Sequence, residues 1–444
     1  METRSRSLDK NKDITSRRKD MEDSSVVNSA KDKGPDVTND TNDNMHEKHM
    51  INIAGRKFHK VILVTHFNVF LYATCFWIQQ GVVPYLSVKL GVDQVTFGYL
   101  QTVFAVVQLA GGPLFGRFGD LYGSRAAMSL AFIACALNYL LLGFATSIPL
   151  LFISRLPSLF MHCMQGGQMI VTDLGDSHQR ADAMGKLGLS YGVGMVVGPL
   201  IGGIIIKTFS EESAAFVACA GSLASLLMVQ TLIPAHTKKQ HIRQNADTAQ
   251  ASDVFSLKKF MHLIFMPGAL FLLLVRMGTG LPIGIFQSMF SRVALDAFHL
   301  APDQNGYLMS YIGVMSMIVQ GVGVGILTKK FSENSILKAS TMILVFSYSL
   351  LSFVSNIWQL CLVCLPLVIG LTTQNVVITS ALTRTVSEAD TGAMIGLNMA
   401  VNSLVRTVSP TIGGYMLSAY GFPSFGYFGS VVCFIVTLVL FWKI

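Results

Sequence analysis

Long apolar segments recur along this chain from Val61 almost to its end, and they constrain the fold more than any other feature. Each segment has about 20 predominantly apolar residues, which is the length that a helix needs to cross the hydrocarbon core of a bilayer. Backbone polar groups in lipid must find their hydrogen-bond partners within the protein, and a helix provides them within each segment. The sequence therefore predicts an all-α integral membrane protein.

Counting the segments gives twelve transmembrane helices. The predicted spans are 61–83, 96–116, 126–145, 149–172, 187–207, 213–233, 267–290, 304–327, 336–354, 357–380, 393–416 and 422–442. The widest polar break, at 234–262, divides them six and six. We therefore expect an N-terminal six-helix bundle at 56–233, a cytoplasmic linker at 234–262 and a C-terminal six-helix bundle at 263–444.

Charged residues are few and concentrated before the first span. They make up 13% of the chain, about half the fraction usual in soluble domains, and 21 of the 58 lie in positions 1–55. This segment contains no Phe, Tyr or Trp, so it cannot bury enough apolar surface to fold, and we predict a disordered cytoplasmic tail. The formal net charge of +8 does not indicate nucleic-acid binding, because the basic residues lie in short runs between apolar segments.

The basic residues also predict the topology. Of the 23 Lys and Arg residues after position 55, 17 lie on the same side as the tail, three lie on the opposite side, and three lie within spans. Cytoplasmic loops carry the excess of basic residues, so both termini are placed in the cytoplasm. The three basic residues on the opposite side are Lys89, Lys207 and Arg292.

An internal repeat supports the even number of spans. The sequence GYL stands at 98–100 and again at 306–308, while GPLIGG at 198–203 has its counterpart in SPTIGG at 409–414. Two parallel halves with a substrate site between them form the layout of major facilitator transporters.

The loop after the second span carries the most specific motif. Residues 116–125 read GRFGDLYGSR and resemble the major facilitator signature G-x-x-x-D-(R/K)-x-G-(R/K)-(R/K), although two of its usual bases are missing. Gly116 and Gly123 permit a tight turn, and a carboxylate at Asp120 suits the positive end of another helix. The resemblance implies that Asp120 and Arg125 form a gate against the start of the eleventh span. A solvated turn without a partner is the alternative.

The fifth span carries a second motif, GVGMVVGPLIGG at 192–203, which resembles the antiporter signature G-x-x-x-G-P-x-x-G-G. Small residues let helix backbones approach closely, and a proline bends the helix. We interpret the motif as an interface that slides during transport, with an ordinary packing stripe as the alternative. Its residues are Gly194, Gly198, Pro199, Gly202 and Gly203.

Three arginines lie within spans: Arg155, Arg276 and Arg406. A charge at a span centre costs at least about 2.5 to 3.5 kcal/mol, so each implies a partner, a water-filled cavity or a side chain that reaches an interface. No Asp or Glu lies at any span centre, which weakens a site for cations. Asp173 and His162 in the fourth span are the remaining titratable candidates, and we predict Arg155 and Asp173 to be the proton-coupling pair.

Polar side chains in four spans are candidates to line a substrate cavity together with Arg276 and Arg406. They are Asn68, Tyr72, Gln79, Gln165, Gln168, Gln287, Asn398 and Asn402. Hydrogen bonds between helices are the alternative role for these residues. The seven cysteines all fall in apolar segments, which argues against disulfides and a metal site, and we expect no cofactor.

Further short motifs narrow the resemblance. VPYLS at 83–87, KLG at 89–91, FGYLQT at 97–102, SRLP at 154–157, VTDL at 171–174, FSE at 331–333 and DTG at 390–392 together resemble the organic-cation-transporter-like branch of solute carrier family 22, which is similar to tetracycline and multidrug proton antiporters. The likeness covers about residues 60 to 440. It implies alternating access, with proton-coupled efflux of organic cations or amphiphilic drugs and contact with membrane lipid. The membrane implied is the plasma membrane, including its apical face, or an internal membrane such as the endoplasmic reticulum.

Two other functions remain open. Arg276 and Arg406 would suit an anionic or zwitterionic metabolite or lipid, and a transporter-shaped receptor or scaffold would bind a ligand without moving it. An enzyme is the least favoured class, because the sequence shows no nucleophile–base pair and no His/Asp metal cluster near a membrane surface.

Overall fold

The computed structural model describes residues 50–53, 56–174, 180–235, 257–387 and 390–443. The predicted tail up to residue 49, and the part of the predicted linker at 236–256, lie outside them. The chain divides into two units, Met1–Lys60 and Val61–Ile444.

In the first unit, strand β1 (Met50–Ile53) pairs antiparallel with strand β2 (Arg56–His59), with Met50 opposite His59. This hairpin is the one departure from the predicted all-α architecture among the described residues.

The second unit is built from helices. They are α1 (Lys60–Lys89), α2 (Gln94–Tyr122), α3 (Ser124–Gly143), α4 (Ile148–Ile153), α5 (Cys163–Leu174), α6 (Arg180–Thr208), α7 (Glu211–Leu232), α8 (Leu257–Ile264), α9 (Ala269–Asp296), α10 (Pro302–Ile318), α11 (Val324–Lys330), α12 (Glu333–Leu351), α13 (Ile357–Thr383), α14 (Thr391–Tyr420) and α15 (Pro423–Lys443). A 3₁₀ segment at Leu156–Phe160 joins α4 to α5, and a π-helical segment at Val319–Gly323 joins α10 to α11. The short helix α8 lies partly within the predicted linker.

Capping side chains mark where several helices begin. The Asp93 carboxylate accepts a hydrogen bond from the Thr96 N–H at 2.9 Å before α2, and Asn356 accepts one from the Gln359 N–H at 3.0 Å before α13. Each cap satisfies one of the N–H groups that the first turn of a helix leaves unpaired. The helices therefore begin directly after short connections, which keeps consecutive spans adjacent.

Ten helices among the described residues are long and apolar enough to cross a membrane, where the sequence predicts twelve. The fourth predicted span is divided into α4, the 3₁₀ segment and α5, because Pro157 cannot continue the helical hydrogen-bond ladder. The eleventh is the continuous 30-residue helix α14, which carries Asn398, Asn402 and Arg406. The number twelve and the cytoplasmic position of both termini stay predictions.

The interruption of the fourth span is packed against neighbouring helices. A Cβ at Gly111 of α2 would collide with the Leu159 carbonyl oxygen, so glycine is required for this contact. The Tyr72 hydroxyl of α1 donates to the Met161 carbonyl at 3.2 Å. Non-helical backbone is tolerated at membrane depth where protein groups satisfy it, as they do here.

Candidate functional site

We call α1–α7 the first half of the bundle and α9–α15 the second half. The helix α2 of the first half packs on α14 of the second, and α6 packs on α10. We call the end of the bundle that holds the connections at 89–94, 208–211 and 296–302 the closed end. The opposite end, with the connections at 122–124 and 330–333 and the end of α13 at Thr383, is the open end. The hydrogen bonds that join described residues of the two halves lie between the closed end and the middle of the bundle.

The internal repeat forms the contact between the halves. A Cβ at Gly98 of α2 would lie 2.5 Å from the Pro410 carbonyl oxygen of α14, and a Cβ at Gly306 of α10 would collide with the Pro199 carbonyl oxygen of α6. Only glycine allows backbones this close. The repeated motifs therefore form two equivalent contacts in one interface. The GYL motif at 98–100 packs on the SP motif at 409–410, and the GYL motif at 306–308 packs on the GP motif at 198–199.

Hydrogen bonds also join the halves at two equivalent places, between α2 and α14 and between α10 and α6. The Thr102 hydroxyl donates to the Thr407 carbonyl at 3.1 Å, and the Ser310 hydroxyl donates to the Val196 carbonyl at 2.7 Å. The hydroxyls of Tyr99 and Tyr415 also hydrogen-bond across the interface. Each half thus supplies a hydroxyl to a carbonyl of the other.

Arg292 of α9 is the centre of a polar cluster at the closed end and is only 6% exposed. Its Nε donates to Asp296 at 2.7 Å and its Nη1 donates to the Ser87 hydroxyl of the other half at 3.1 Å. Gln94, also of the other half, donates to the same Asp296 carboxylate at 2.9 Å. The guanidinium further lies 5.7 Å from the centre of the Phe97 ring, so it joins the halves by hydrogen bonds and by a cation–π contact.

An ion pair crosses the halves at the closed end, where Lys207 Nζ lies 2.7 Å from Asp303 Oδ2. Lys89 pairs instead within its own half, with Glu211 at 3.2 Å and Glu212 at 2.8 Å. These residues are not among those that the sequence motifs predict to form a site. The signal was present, since Lys89, Lys207 and Arg292 are the three basic residues that the topology places apart from the others.

The antiporter-like motif of α6 divides between two contacts. Gly194, Gly198 and Gly202 face α1 of the same half, where a Cβ at Gly198 would lie 2.5 Å from the Thr74 carbonyl oxygen. A Cβ at Gly203 would lie 2.6 Å from the Pro302 carbonyl oxygen of the other half. Among the motif residues, Pro199 and Gly203 therefore reach the interface between the halves in this conformation, and the other three fix α6 to α1.

The open end contains a cavity of about 330 Å³ within the first half. Asp120, Gln165, Gln168 and Asp173 are among its lining residues, and the Ser124 hydroxyl donates to Asp173 at 3.0 Å. This arrangement brings four predicted site residues together, two of them carboxylates.

The predicted gate residues lie at the same end. Gly123 has φ +90°, which glycine adopts without strain, and Gly116 lies beside the Gln165 side chain. Arg125 donates twice to Gln230, to its backbone carbonyl at 2.6 Å and its side-chain oxygen at 2.8 Å, and so ties α3 to α7. A gate formed by Asp120 against the start of α14 stays a prediction.

The predicted coupling pair is not brought together. Arg155 precedes the 3₁₀ segment and Asp173 ends α5, so they occupy opposite ends of the fourth predicted span. Arg155 is 1% exposed, with its guanidinium carbon 5.9 Å from the centre of the Phe104 ring. The His162 ring lies between them in sequence and packs 5.4 Å from the Phe115 ring. Direct proton exchange between Arg155 and Asp173 is therefore not supported by this conformation.

Two predicted cavity residues meet at the middle of the second half, where Arg276 Nε of α9 donates to Asn402 Oδ1 of α14 at 2.7 Å. Arg406 lies one turn further along α14 and is exposed.

Other predicted cavity residues hold helices together. Gln79 is 1% exposed and accepts a hydrogen bond from Asn138 of α3 at 2.8 Å, and Asn398 donates to Thr379 of α13 at 3.2 Å. Asn68 is fully buried and donates to the Val64 carbonyl of its own helix at 2.9 Å. Gln287 is exposed on α9. Of the described His, Cys, Asp and Glu residues, no three are grouped in a way that would hold a metal ion.

Known proteins resemble this chain in sequence along most of its length. The family model of the Major Facilitator Superfamily matches residues 65–337 and 269–444. The chain is 40% identical over 388 residues to solute carrier family 22 member 18 of Mus musculus, covering 86% of this chain and 95% of that protein. It is 23% identical over 368 residues to multidrug resistance protein 1 of Bacillus subtilis (strain 168), covering 82% and 91%.

The fold has solved counterparts. A crystal structure of the peptide transporter POT superposes with a TM-score of 0.71 at 13% identity, covering 90% of this chain and 97% of that one. The resemblance stated from the sequence motifs is confirmed.

Proposed function

Because the chain belongs to the major facilitator superfamily, and is thus a multi-pass membrane transporter rather than an enzyme, we propose that it exchanges an organic solute for protons by alternating access. The observation that carries this proposal is the asymmetry of the contact between the halves. Close backbone contacts and cross-half hydrogen bonds among the described residues gather between the closed end and the middle of the bundle.

The contacts at the closed end are of a kind that can separate as a unit. At Gly98 against Pro410, and at Gly306 against Pro199, the contact is made by backbone atoms. Separating them, together with the Arg292 and Lys207 contacts, would open that end while the open end closes. Discontinuous helices beside a central site support such a motion in membrane transporters.

The direction of transport depends on the topology that the basic residues predict. With both termini in the cytoplasm, the open end faces the cytoplasm, so the solute enters from inside the cell and leaves by opening of the closed end. Efflux is the direction that this state favours. The plasma membrane and the endoplasmic reticulum are the two locations that the resemblance implies.

Proton coupling requires a side chain that titrates on the path of the solute. Asp173 lines the open-end cavity together with Asp120. His162 lies between Arg155 and Asp173 in the sequence. Its buried Nε2 has no hydrogen-bond partner among the described residues. We propose Asp173 as the proton carrier with His162 as a second site, and Arg155 as a structural charge of the first half.

The names of the relatives support a drug-sized amphiphilic solute, since the bacterial relative is a multidrug resistance protein. The resemblance implies organic cations. The charges at the middle of the bundle favour the anionic alternative instead, because Arg276 and Arg406 are basic and the sequence has no Asp or Glu at a span centre.

The test uses the full chain in proteoliposomes that contain a fluorescent amphiphile, with and without a pH gradient. A gradient should accelerate flux several-fold, and Asp173→Asn should abolish this acceleration. Glu211→Gln is the matched control, because Glu211 lies at the closed end and its replacement leaves Glu212 to pair with Lys89. Flux that does not depend on the pH gradient would contradict proton antiport. Saturable binding without any flux would indicate a receptor.

A further inference from the structure

Arg155 is a charged side chain enclosed within the first half. It is 1% exposed, and its Nε and Nη2 atoms are buried without a hydrogen-bond partner among the described residues. Its guanidinium carbon lies 5.9 Å from the centre of the Phe104 ring of α2. A guanidinium does not lose its proton in proteins, so burial leaves the charge in place. A buried charge is costly unless a counter-charge and hydrogen bonds offset the loss of water.

The carboxylates nearest to Arg155 along the chain lie towards the ends of the bundle. Between Asp120 and Asp173 the sequence contains no Asp or Glu, so α3, α4 and the 3₁₀ segment carry none. On α2, Phe104 lies eleven residues after Asp93 and sixteen before Asp120, which is about 16 Å and about 24 Å along the axis at 1.5 Å per residue. No ion pair joins Arg155 to a carboxylate among the described residues.

The 3₁₀ segment supplies a second unpartnered group. Ser158 is fully buried, and its hydroxyl has no partner among the residues that the structure describes. The Ser158 N–H donates to the Arg155 carbonyl at 3.1 Å, and side chains three residues apart in a 3₁₀ turn lie above one another. The Ser158 hydroxyl and the Arg155 guanidinium therefore project from the same face of this turn.

Tyr139 of α3 is the third such group, fully buried and with a hydroxyl that no described residue contacts by a hydrogen bond. Cys135 Sγ lies 4.0 Å from Cys163 Sγ, and a Cβ at Gly166 would lie 3.4 Å from the Met128 Cα. Later residues of α3 therefore lie beside earlier residues of the fourth predicted span. Tyr139 follows Cys135 by one turn on the same face, which brings it to the level of the 3₁₀ segment, and that segment packs on both α3 and α2.

We propose that a chloride ion binds between α2, α3 and the 3₁₀ segment, held by the Arg155 guanidinium and by the Ser158 and Tyr139 hydroxyls. All three groups donate protons, and a small anion accepts them and supplies the missing counter-charge. Water accepts the same hydrogen bonds but brings no charge. The burial of the three side chains selects a small ion over an organic anion. The site goes beyond the proposed transport function, because it lies inside one half.

The experiment measures thermal unfolding of the full chain in detergent by intrinsic fluorescence. Sodium chloride, sodium bromide and sodium gluconate are compared at equal ionic strength. A ligand that binds only the folded state raises the unfolding temperature as its concentration rises. Chloride and bromide should therefore raise the unfolding temperature by several degrees relative to gluconate, and radiolabelled chloride should bind saturably, with a single ion per chain.

Three variants locate the ion. Arg155→Met should abolish both effects, and we expect it to fold because an apolar side chain of similar length replaces an uncompensated charge. Ser158→Ala should need about tenfold more chloride for the same stabilisation, as the loss of one hydrogen bond to a charged group does. Arg384→Gln is the matched control, because Arg384 pairs with Glu333 at the open end and its side chain is 73% exposed. It should retain both effects.

Two results would overturn the site. Equal unfolding temperatures in the three salts, with no bound chloride, would show that water alone satisfies these groups. A halide effect that persists in Arg155→Met would place the ion on other basic residues. Should Arg155→Met fail to fold, Ser158→Ala and Tyr139→Phe decide the question, because an unchanged dependence on chloride in both would contradict the site.

Discussion

The Arg292 guanidinium of the second half donates to the Ser87 hydroxyl of the first half across 3.1 Å. This bond, between residues far apart in the chain, is buried at the closed end beside the Asp296 carboxylate and the Phe97 ring. It ties the end of α1 to the end of α9, and the two halves cannot separate there without breaking it.

Arg292→Gln should therefore open the closed end more often. The variant removes a charge-assisted contact between the halves, while Lys89→Gln removes only ion pairs within the first half. A cysteine introduced at Leu300, which is 7% exposed, should react several-fold faster with a membrane-impermeant thiol reagent in the Arg292→Gln variant. Equal rates in the Arg292→Gln and Lys89→Gln variants would contradict this role for Arg292.

Alanine at Gly98 or Gly306 should push the halves apart. Each added Cβ would overlap a carbonyl oxygen of the opposite half, which cannot move aside without shifting its helix. Spin labels at Phe209 and His299, both exposed at the closed end, should show longer distances by pulsed electron paramagnetic resonance. Gly81→Ala is the control, because a Cβ there meets nothing within 4 Å. Unchanged distances in both variants would show that the glycines do not control closure.

Gln79→Ala should destabilise the first half without altering substrate affinity. The Asn138 amide would lose its partner in a buried site, and an unsatisfied buried polar group costs about 1 to 3 kcal/mol. Unfolding in detergent should therefore occur at a lower temperature, and the KM for transport should stay the same. The double variant Gln79→Leu/Asn138→Leu should recover part of the stability. A raised KM in a fully folded Gln79→Ala variant would indicate that Gln79 lines the substrate cavity.

The cap at Asp93 should make stability depend on pH. Hydrogen bonds from the Thr96 side chain and then its backbone N–H lower the pKa of Asp93 below its ordinary value of 3.8. A lowered pKa in the folded state means that the cap stabilises the protein at neutral pH and that this contribution is lost as the pH falls below about 4. Asp93→Ala should cost about 1 kcal/mol at pH 7 and should flatten this part of the profile of unfolding temperature against pH. Parallel profiles would indicate that Asp93 is not a cap in solution.

Much of the architecture was open to prediction from the sequence because lipid leaves few alternatives. Apolar segments of the required length predicted the helices, and the repeat at 98–100 and 306–308 indicated two equivalent halves. The division of the fourth span was not predicted, since a hydropathy pattern does not reveal that Pro157 breaks the helix and that Gly111 makes room for the bend.

For the site, the sequence by itself determined which residue types lie at membrane depth: arginines without carboxylates, small residues in repeated motifs and a few amides. The tertiary structure alone decided their roles. It directed Gln79 to Asn138 and Arg125 to Gln230, and it separated Arg155 from Asp173. The physical reason is that a polar side chain in a bundle takes whichever partner the neighbouring helix offers, and the identity of that neighbour depends on contacts between residues hundreds of positions apart.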